Sequence, residues 1–377
     1  MPVVITGADG FIGKNLQLRL AELGHADVMG ITRSTPPLAV QQALAEASFV
    51  FHLAGVNRPQ DPADFATGNA GLTQIICEAL AAAKNHAPLL LASSTQALKD
   101  NPYGRSKLAA ETAVRSYGAA TGVPVHVLRL PNVFGKWCKP NYNSAVATFC
   151  HNTARGLPIQ INDPAAAVNL VYVDDVVECF LQLMDGGIVK VNTVAEVELA
   201  GSATVAPQYT TTVGELARQI QAFKDSRTSL VTDRVGMGLV RALYSTYVSY
   251  LPVEAFTYTV PQYVDARGMF AEMLKTPDCG QFSFFTAHPG ITRGGHYHHS
   301  KTEKFLVIKG QARFKFRHMQ TGQTHELTTT GDKSEIVETV PGWTHDITNV
   351  GTDELIVMLW ANEVFDRARP DTFACAV

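Results

Sequence analysis

The chain has 377 residues, of which 46% are apolar and 17% are charged, and its formal net charge at pH 7 is -3. These values are typical of a globular protein with two domains of about 100 to 200 residues each, and they give no basic excess for nucleic-acid binding. No apolar run approaches the roughly 18 residues of a membrane helix, so we expect no membrane segment.

The residues after Met1 contain neither a basic segment nor an apolar h-region. This predicts a protein without a secretory signal, which we place in the cytoplasm. The six cysteines form no CxxC pair, which argues against a thiolate zinc site or a disulfide framework. The expected partner is therefore a small molecule rather than nucleic acid.

Short apolar runs alternate with stretches of helical length in the first part of the chain. The strand-like runs are VVIT, DVMGI, ASFVFHLAG, PLLLAS and VPVHVLRLP, and the helical stretches include FIGKNLQLRLAEL, TQIICEALAAAKN and SKLAAETAVRSYG. This alternation predicts a parallel sheet with crossover helices. Residues 188–212 are interpreted as loop and edge strands. Thr212 and Glu215 have capping-box spacing at the start of a further helix.

The pattern of apolar and turn residues changes beyond about residue 260. The runs FSFFTA, KFLVIKG, ARFKFRHM, THELTTT, EIVETV and LIVMLWANE are separated by turn residues at short intervals. Such spacing predicts an antiparallel barrel or sandwich. We therefore divide the chain into an α/β Rossmann-like domain, residues 1–252, and an all-β domain, residues 253–377.

The stretch TGADGFIG places three glycines after a strand and at the start of a helix. Glycines there let the backbone turn tightly and approach a pyrophosphate, while the free N–H groups of the helix N-terminus donate hydrogen bonds. The alternative is an ordinary tight turn. We predict a dinucleotide site formed by Thr6, Gly7, Gly10, Phe11, Ile12 and Gly13.

Dinucleotide folds often place an acidic residue about 20 positions further on, where it binds the ribose 2'-hydroxyl. The second strand here ends in GITRS, with Arg33 and no Asp or Glu. An arginine suits a 2'-phosphate, so this pattern favours NADPH over NADH. The alternative is a solvated surface arginine.

The stretch SSTQALKDNPYGRSK contains Tyr103 and Lys107 at i and i+4. On a helix this spacing puts both side chains on one face, where the ammonium would lower the pKa of the phenol. A phenol with a pKa near 10 transfers protons poorly at neutral pH unless a cation shifts it. The pair Ser93 and Ser94 follows an apolar strand upstream, so we interpret the set as catalytic.

These motifs resemble the extended short-chain dehydrogenase/reductase family over roughly residues 1 to 250. The resemblance implies that Tyr103 is the general acid, that Lys107 activates it and binds the ribose, and that Ser94, rather than Thr95, binds the substrate oxygen. It also implies further contacts. HLAG supplies the cofactor contacts Leu53, Ala54 and Gly55, RLPNVFG supplies Pro131 for the cofactor and Asn132 for the substrate, and KWCKPNYNS supplies the substrate contacts Lys136, Asn141 and Asn143.

Seven of the twelve histidines lie after residue 287. His296 and His298 alternate on a predicted strand and should share a face, Glu303 opens the next strand, and His345 follows a PG turn from which a hairpin could return it to that face. Three imidazoles and a carboxylate suit Zn, Fe, Ni or Cu and leave a position for water or substrate. The alternative is a set of surface histidines with one buried structural histidine.

The spacing of Gly290, His296, His298, Glu303 and Gly310 resembles the first motif of the cupin family. PGWTHDITN resembles the second motif, with Pro341 and Gly342 adjacent where the family usually has a residue between them. VDARGMFAEMLKT, residues 264–276, is similar to cupin-like epimerases of nucleotide 4-keto-sugars, which typically work without a metal. A metal here would stabilise an enolate. His299 should face away from the site, and we rank none of the conceivable bases, which are Tyr297, His299, His325 and Asp346.

Over its whole length the sequence resembles the CapF/WbjC-type capsular polysaccharide and O-antigen synthesis enzymes. The resemblance implies a homodimer with NADPH and Zn²⁺ that acts on a UDP-linked 2-acetamido-2,6-dideoxy-4-hexulose, a 4-keto-6-deoxy-N-acetylhexosamine. The cupin domain would invert C3 and the reductase domain would reduce C4, giving UDP-N-acetyl-6-deoxy-L-talosamine on the route to UDP-N-acetyl-L-fucosamine. Two alternatives are a reductase with a structural or sugar-binding cupin, and a cupin oxygenase with a nucleotide-sensing domain.

Overall fold

The computed structural model describes residues 1–186, 202–203, 205–265, 268–271, 274, 276, 280–363, 366 and 368–377. These residues form two compact units. The first contains Met1–Phe134 and Val168–Thr210, and the second contains Gly135–Ala167 and Thr211–Val377. The division at residues 252 and 253 stays a prediction. Most of the segment 188–212, interpreted above as loop and edge strands, lies outside the described residues.

The first unit is built on a parallel six-stranded sheet, as the alternating pattern predicted. The strand order is β2-β1-β3-β4-β5-β8. The strands are β1 (Val3–Thr6), β2 (Val28–Ile31), β3 (Phe49–His52), β4 (Leu89–Ser94), β5 (Val125–Leu130) and β8 (Ser202–Ala203). β2 lies on one side of β1, and β3, the next strand in the chain, lies on the other side. The strand order reverses at this point, and folds of this kind bind ligands in the crevice between β1 and β3.

Helices cover both faces of this sheet. They are α1 (Phe11–Glu22), α2 (Pro37–Glu46), α3 (Leu72–Ala82), α4 (Pro102–Thr121) and α6 (Val173–Met184), and a π-helical turn, Ala66–Gly71, precedes α3. Alternate strand residues point to opposite faces. One face packs against α1 and α6 in one apolar core, and the other packs against α2, α3 and α4 in a second core. A small sheet of β6 (Asn132–Phe134), β7 (Ala167–Tyr172) and β9 (Tyr209–Thr212) adjoins this unit.

The second unit begins with three helices that pack on one another, α5 (Ala145–Ala154), α7 (Val213–Ser229) and α8 (Gly238–Ser249). The predicted capping box at the start of α7 is confirmed. The Glu215 N–H donates to Thr212 Oγ1 at 3.2 Å, and the Thr212 N–H donates to Glu215 Oε2 at 3.2 Å. These bonds satisfy N–H groups that have no partner within the helix.

The rest of this unit is the predicted antiparallel β-structure, made of two five-stranded sheets. One has the order β10-β18-β15-β20-β13 and the other β17-β16-β19-β14-β21. The strands are β10 (Thr257–Thr259), β13 (Gln281–Ala287), β14 (Thr292–Tyr297), β15 (Glu303–Lys309), β16 (Gln311–His318), β17 (Thr324–Thr330), β18 (Glu335–Glu338), β19 (Trp343–Asn349), β20 (Leu355–Ala361) and β21 (Phe373–Ala374). A separate hairpin pairs β11 (Gln262–Asp265) with β12 (Gly268–Ala271).

A buried group of charges connects two of these helices, α7 and α8, to the β-structure within the second unit. The Glu338 carboxylate at the end of β18 accepts hydrogen bonds from Arg227 of α7 and from Lys304 of β15, and Tyr244 of α8 donates to it at 3.4 Å. Lys304 also donates to the Tyr258 hydroxyl at 3.0 Å. Because lone buried charges are costly, each of these groups depends on the others for its place in the interior.

Among the residues that the structure describes, no helix is both long enough and apolar enough to cross a bilayer.

Candidate functional site

The loop after β1 brings two backbone segments into close contact at the carboxyl end of the sheet. Gly7 has a φ of +68°. A Cβ there would lie 2.8 Å from the Ala54 nitrogen, and a Cβ on Gly13 would lie 2.4 Å from the Gly7 oxygen. The N-cap residue of α1, Gly10, contributes no side-chain cap. The first N–H groups of α1 can therefore bind an anion, and this cradle fits the predicted dinucleotide.

A buried hydrogen-bond network beneath this loop was not predicted from the sequence. Thr6 Oγ1 lies 2.7 Å from His52 Nδ1, and His52 Nε2 lies 2.9 Å from Thr73 Oγ1. The Thr73 hydroxyl donates to the Asn69 carbonyl at 2.8 Å, so it accepts from Nε2–H and leaves Nδ1 as an acceptor. Burial, reinforced by Lys107, lowers the pKa of His52 to about 3. His52 is therefore a neutral connector.

Asn69 continues this network to the cofactor loop and the catalytic helix. Its side-chain oxygen accepts from Val56 N at 2.9 Å, and its amide nitrogen lies within 3.1 Å of both the Val56 oxygen and Ser106 Oγ. The Ser106 hydroxyl in turn is 2.7 Å from the Tyr103 carbonyl. A Cβ on Gly55 would lie 2.8 Å from Asn69 Oδ1. Asn69 thus fixes the loop after β3 against α4.

The two serines at the end of β4 have different surroundings. Ser93 is buried and donates to Glu111 at 2.6 Å, and the same carboxylate binds Arg129 through hydrogen bonds of 2.7 to 3.2 Å. Ser94 is only partly buried and accepts from the Gln96 N–H at 3.2 Å. Since Ser93 is committed to an internal ion pair, Ser94 is the serine that remains available for substrate.

Tyr103 and Lys107 lie one turn apart on α4, as the spacing predicted. The Tyr103 hydroxyl donates to Asn57 Oδ1 at 3.3 Å, and the Lys107 ammonium donates to the Ala92 carbonyl at 3.0 Å. Ser94 is close enough to Tyr103 to lower the pKa of its hydroxyl. The structure therefore brings the three predicted catalytic side chains to the carboxyl end of β4.

The expected lowering of the Tyr103 pKa is wrong for the protein alone. Burial raises the pKa of Tyr103 above its usual value, and the nearby Ser94 only opposes that effect. Burial also lowers the pKa of Lys107 to about 8, against the opposing charge of Glu111. The i, i+4 spacing could not show this, because burial depends on the tertiary structure.

The other predicted cofactor contacts lie around the same edge of the sheet. Arg33 is exposed directly after β2, Leu53 and Ala54 adjoin Gly7, and Pro131 follows β5. Phe11 and Ile12 are partly buried in the first turn of α1. The roles of all these residues remain predictions.

The predicted substrate contacts are divided between the two units. Asn132 is exposed in the first unit and donates to the Asn169 carbonyl at 3.1 Å. In the second unit Asn141 and Asn143 are exposed, whereas Lys136 is only 1% exposed and its ammonium lies 5.4 Å from the centre of the Trp137 ring. These substrate roles remain predictions.

The four predicted metal ligands lie together in the second unit. The possible ligand atoms of His296, His298, Glu303 and His345 all lie within 4.8 Å of one another. A β-bulge between Gly294 and His296 puts His296 directly opposite His345. His298 follows the end of β14, and its ring lies 5.0 Å from that of His296.

The contacts of His298 leave a place for a proton or a metal ion between it and Glu303. His298 Nδ1 lies 2.6 Å from the Asp371 carbonyl oxygen, which can only accept, so Nδ1 carries the proton. Nε2 then directs a lone pair at Glu303 Oε2, 3.1 Å away. Two acceptors this close require a proton or a metal ion between them. Neither ring nitrogen of the buried His345 forms a hydrogen bond among the described residues, although Nε2 lies 3.5 Å from Glu303 Oε2, so a metal between these two groups would give Nε2 a partner.

The cluster holds Glu303, His296 and His345 in the protonation states that ligands require. Burial alone would raise the pKa of Glu303, but His298, His345 and Lys301 together hold it well below its usual value. Burial lowers the pKa of His345, and burial with the neighbouring histidines lowers the pKa of His296 to about 3. A neutral imidazole and an ionised carboxylate are the forms that bind Zn²⁺.

Asp371, near the end of the chain, was not predicted and binds the loop that carries His298. Its carboxylate accepts from the N–H groups of His299, Ser300 and Lys301 at 2.7 to 2.9 Å. Burial would raise the pKa of Asp371, but His299, His298 and these N–H groups hold it below its usual value. No sequence motif connects position 371 with this loop.

The conceivable bases of the second unit do not share one face. The ring of His299 packs with Tyr297 and Phe373, away from the ligand cluster, as expected for a residue that does not bind the metal. Asp346 follows the inward His345 and therefore faces the other way. Residues 266–267, 272–273 and 275 of the epimerase-like segment 264–276 lie outside the described residues.

His325 lies in the same cross-strand row as two of the ligands. Phe316 of β16 is directly opposite His325 of β17 on one side and His345 of β19 on the other, and His345 is opposite His296. Residues directly opposite in a sheet share a face. His325 is partly buried, and its ring lies 6.2 Å from that of Phe316.

Comparison with known proteins identifies both parts of the chain. Residues 3–192 match the NAD dependent epimerase/dehydratase family, and residues 263–373 match the polysaccharide biosynthesis C-terminal domain. A curated protein of Pseudomonas aeruginosa, named UDP-2-acetamido-2,6-beta-L-arabino-hexul-4-ose reductase, is 59% identical over 100% of this chain and 99% of its own length.

Solved structures show the same architecture. The capsular polysaccharide assembling protein CapF of Staphylococcus aureus superposes with a TM-score of 0.68 at 40% identity, over 100% of both chains. A UDP-glucose 4-epimerase of Thermotoga maritima, 21% identical, covers 59% of this chain and 82% of its own with a TM-score of 0.51, which shows the fold alone.

We predict that Gly7→Ala abolishes dinucleotide binding, because the added Cβ would separate the loops after β1 and β3. Gly24→Ala is the matched control, since Gly24 also has a positive φ, +82°, but has open space around its Cα. Both variants should lose about 1 kcal/mol of folding free energy from backbone strain. Titration of NADPH fluorescence should show lost binding in Gly7→Ala only, and equal affinities in the two variants would contradict the assignment.

Proposed function

Because this chain belongs to the NAD dependent epimerase/dehydratase family, we propose that it reduces the C4 ketone of a UDP-linked 2-acetamido-2,6-dideoxy-4-hexulose in polysaccharide biosynthesis. The observation that carries this proposal is the grouping of Ser94, Tyr103 and Lys107 beside the glycine loop, in a chain 59% identical to a reductase of that substrate class. The exposed Arg33 supports NADPH as the reductant.

The side chains of this site supply the proton and bind the oxygen. Bound NADPH would provide the hydride for C4. The Tyr103 hydroxyl donates a proton to the C4 oxygen, and its raised pKa keeps it in the protonated form that a general acid needs. Ser94 donates a hydrogen bond to the same oxygen, and Lys107 binds ribose hydroxyls and adds positive charge near the phenol.

We propose also that the second unit inverts C3 of the same ketone before reduction. An electron-withdrawing carbonyl at C4 acidifies the C3 proton, so one functional group serves both reactions. His296, His298, Glu303 and His345 would hold a Zn²⁺ ion, which would act as a Lewis acid toward the carbonyl. The product would be UDP-N-acetyl-6-deoxy-L-talosamine, on the route to UDP-N-acetyl-L-fucosamine. The homodimer stays a prediction.

Among the four conceivable bases we favour His325 for removing the C3 proton. It shares the face of His345 and His296, whereas Tyr297, His299 and Asp346 do not. Histidine is the side chain that most often acts as a general base in enzymes. Its aromatic neighbours Phe316 and Phe256 would keep water from competing for the proton.

Replacement of Tyr103 by Phe should lower the rate of C4 reduction by about 10² to 10⁴, because it removes the proton donor. Tyr117→Phe, toward the other end of the same helix, where the hydroxyl donates to the Asn85 carbonyl at 3.3 Å, is the control and should react at the wild-type rate. Stopped-flow oxidation of NADPH measures both. Unchanged reduction in Tyr103→Phe would overturn the assignment of the general acid.

We expect kcat/KM for reduction to fall as the pH rises through about 8. Lys107 is charged below its pKa of about 8 and neutral above it, so its binding of the ribose weakens at higher pH. The neighbouring His52 stays neutral throughout this range, and Glu111 is paired with Arg129. In Lys107→Arg the fall of kcat/KM should move above pH 10, because a guanidinium group stays charged. A fall at the same pH in this variant would contradict the role of Lys107.

Deuterium should enter C3 of a UDP-4-keto-6-deoxy-N-acetylhexosamine in D₂O before NADPH is added, as followed by NMR. Removal of metal by a chelator should stop this exchange, and His325→Gln should slow it by about 10² to 10⁴. His288→Gln, at an exposed histidine, is the matched control, and Tyr103→Phe should exchange normally. If C3 stays protonated while NADPH is consumed, the histidine cluster is structural and the protein is a reductase alone.

A further inference from the structure

The loop that carries His298 is held by a single carboxylate from the end of the chain. Asp371 Oδ1 accepts the N–H of His299 at 2.9 Å, and Oδ2 accepts those of Ser300 and Lys301 at 2.8 and 2.7 Å. The Ser300 hydroxyl also donates to Oδ2, at 3.1 Å. Three consecutive N–H groups thus depend on one side chain, which is the geometry of an anion-binding nest.

The main chain of the same residue determines which nitrogen of His298 is free. The Asp371 carbonyl accepts from His298 Nδ1 at 2.6 Å, which leaves Nε2 as the nitrogen that faces Glu303. Hydrogen bonds of this kind fix the tautomer and the ring orientation of metal-binding histidines. Asp371 therefore constrains His298 in two ways. Its carboxylate holds the loop that follows His298, and its carbonyl oxygen binds the imidazole ring.

The segment around Asp371 is anchored independently of these bonds. β21 pairs with β14, where Phe373 lies opposite Tyr297, and the Cys375 N–H donates to the Gly295 carbonyl at 2.8 Å. The Thr344 hydroxyl donates to the Cys375 carbonyl at 2.6 Å. Because the segment has its own attachments, Asp371 is presented to the loop by a rigid support.

We propose that Asp371 is a positioning residue of the metal centre, which sets the tautomer and the direction of His298. This inference rests on the proposed function of the cluster as a metal site. The proposal gives a role to the residues from 370 onward. These residues would support the metal centre, although His345 is the last of its four proposed ligands in the sequence.

Asp371→Asn tests this proposal, because the amide nitrogen would meet N–H groups and cannot accept from them. The full-length protein is stripped of metal, and its affinity for Zn²⁺ is measured by competition with a chromophoric chelator. The Co²⁺-loaded protein then gives an absorption spectrum that reports ligand geometry. We expect a 10- to 100-fold loss of Zn²⁺ affinity, roughly the effect of removing such an outer partner, and an altered Co²⁺ spectrum.

Asp366→Asn is the matched control, because Asp366 lies in the same segment, where within the described part of the chain its carboxylate accepts from Ala368 N and pairs with Arg369. It should bind Zn²⁺ like the wild type. Asp371→Glu keeps the charge and should recover part of the affinity. If Asp371→Asn does not fold, Ser300→Ala and Asp371→Glu provide the comparison, and affinities and spectra equal to the wild type in both would overturn the proposal.

Thermal unfolding of the metal-free proteins separates positioning from support of the fold. A lower melting temperature in Asp371→Asn with unchanged Zn²⁺ affinity and Co²⁺ spectrum would show that Asp371 only supports the fold, and would overturn the proposal. A wild-type protein that binds no metal would overturn both this inference and the metal site. Intact metal binding without C3 exchange would count against epimerisation and leave the role of Asp371 supported.

Discussion

The cluster of predicted metal ligands depends on one loop, residues 298–302, which joins β14 to β15. The backbone N–H groups of this loop need hydrogen-bond acceptors from elsewhere in the chain. These groups have no strand partner, and an unpaired buried N–H costs about 1 to 3 kcal/mol. Asp371 accepts from residues 299 to 301, Asn362 Oδ1 accepts from Thr302 at 2.9 Å, and Thr339 Oγ1 accepts from Glu303 at 2.9 Å. The loop is therefore held by side chains that lie just after β18 and β20 and just before β21, far from it in the sequence. Arg241 of α8 adds a hydrogen bond to Ser300, so the helices of this unit support the loop as well.

The candidate site of the first unit, at the edge of the parallel sheet, is also held in place by polar side chains that are distant in the sequence. The strands end side by side there, but their side chains become a site only because Thr6, His52, Thr73 and Asn69 connect β1, β3, α3 and the π-helical turn. In both units the side chains of the candidate site are held in place by buried polar groups of neighbouring elements. Such partners are worth more in the interior than on the surface, because no water can replace them.

Local patterns predicted the fold class and which candidate side chains lie close together on one element, and tertiary contacts decided the rest. The glycine loop, the i, i+4 pair Tyr103 and Lys107, and the capping box at Thr212 are all set within a few residues, so spacing was enough. Asp371 lies 72 positions from His299, and His52 lies 46 positions from Thr6, so no local signal pairs them. Helix α8 was not predicted because its tyrosine, valine and threonine residues are also typical of strands. The direction of the Tyr103 pKa shift was wrong because it depends on burial.

The bulge in β14 has a consequence for how this centre can vary among related chains. Gly294 opposes Asp346 and His296 opposes His345, so the extra residue, Gly295, reverses the inward and outward alternation at that point. Gly294 and Gly295 both have positive φ, which accommodates the extra residue. A chain without Gly295 would pair regularly at this point and would still place His296 opposite His345. The spacing between Gly290 and the histidines can therefore change by one residue here while the pairing that turns His296 inward is kept.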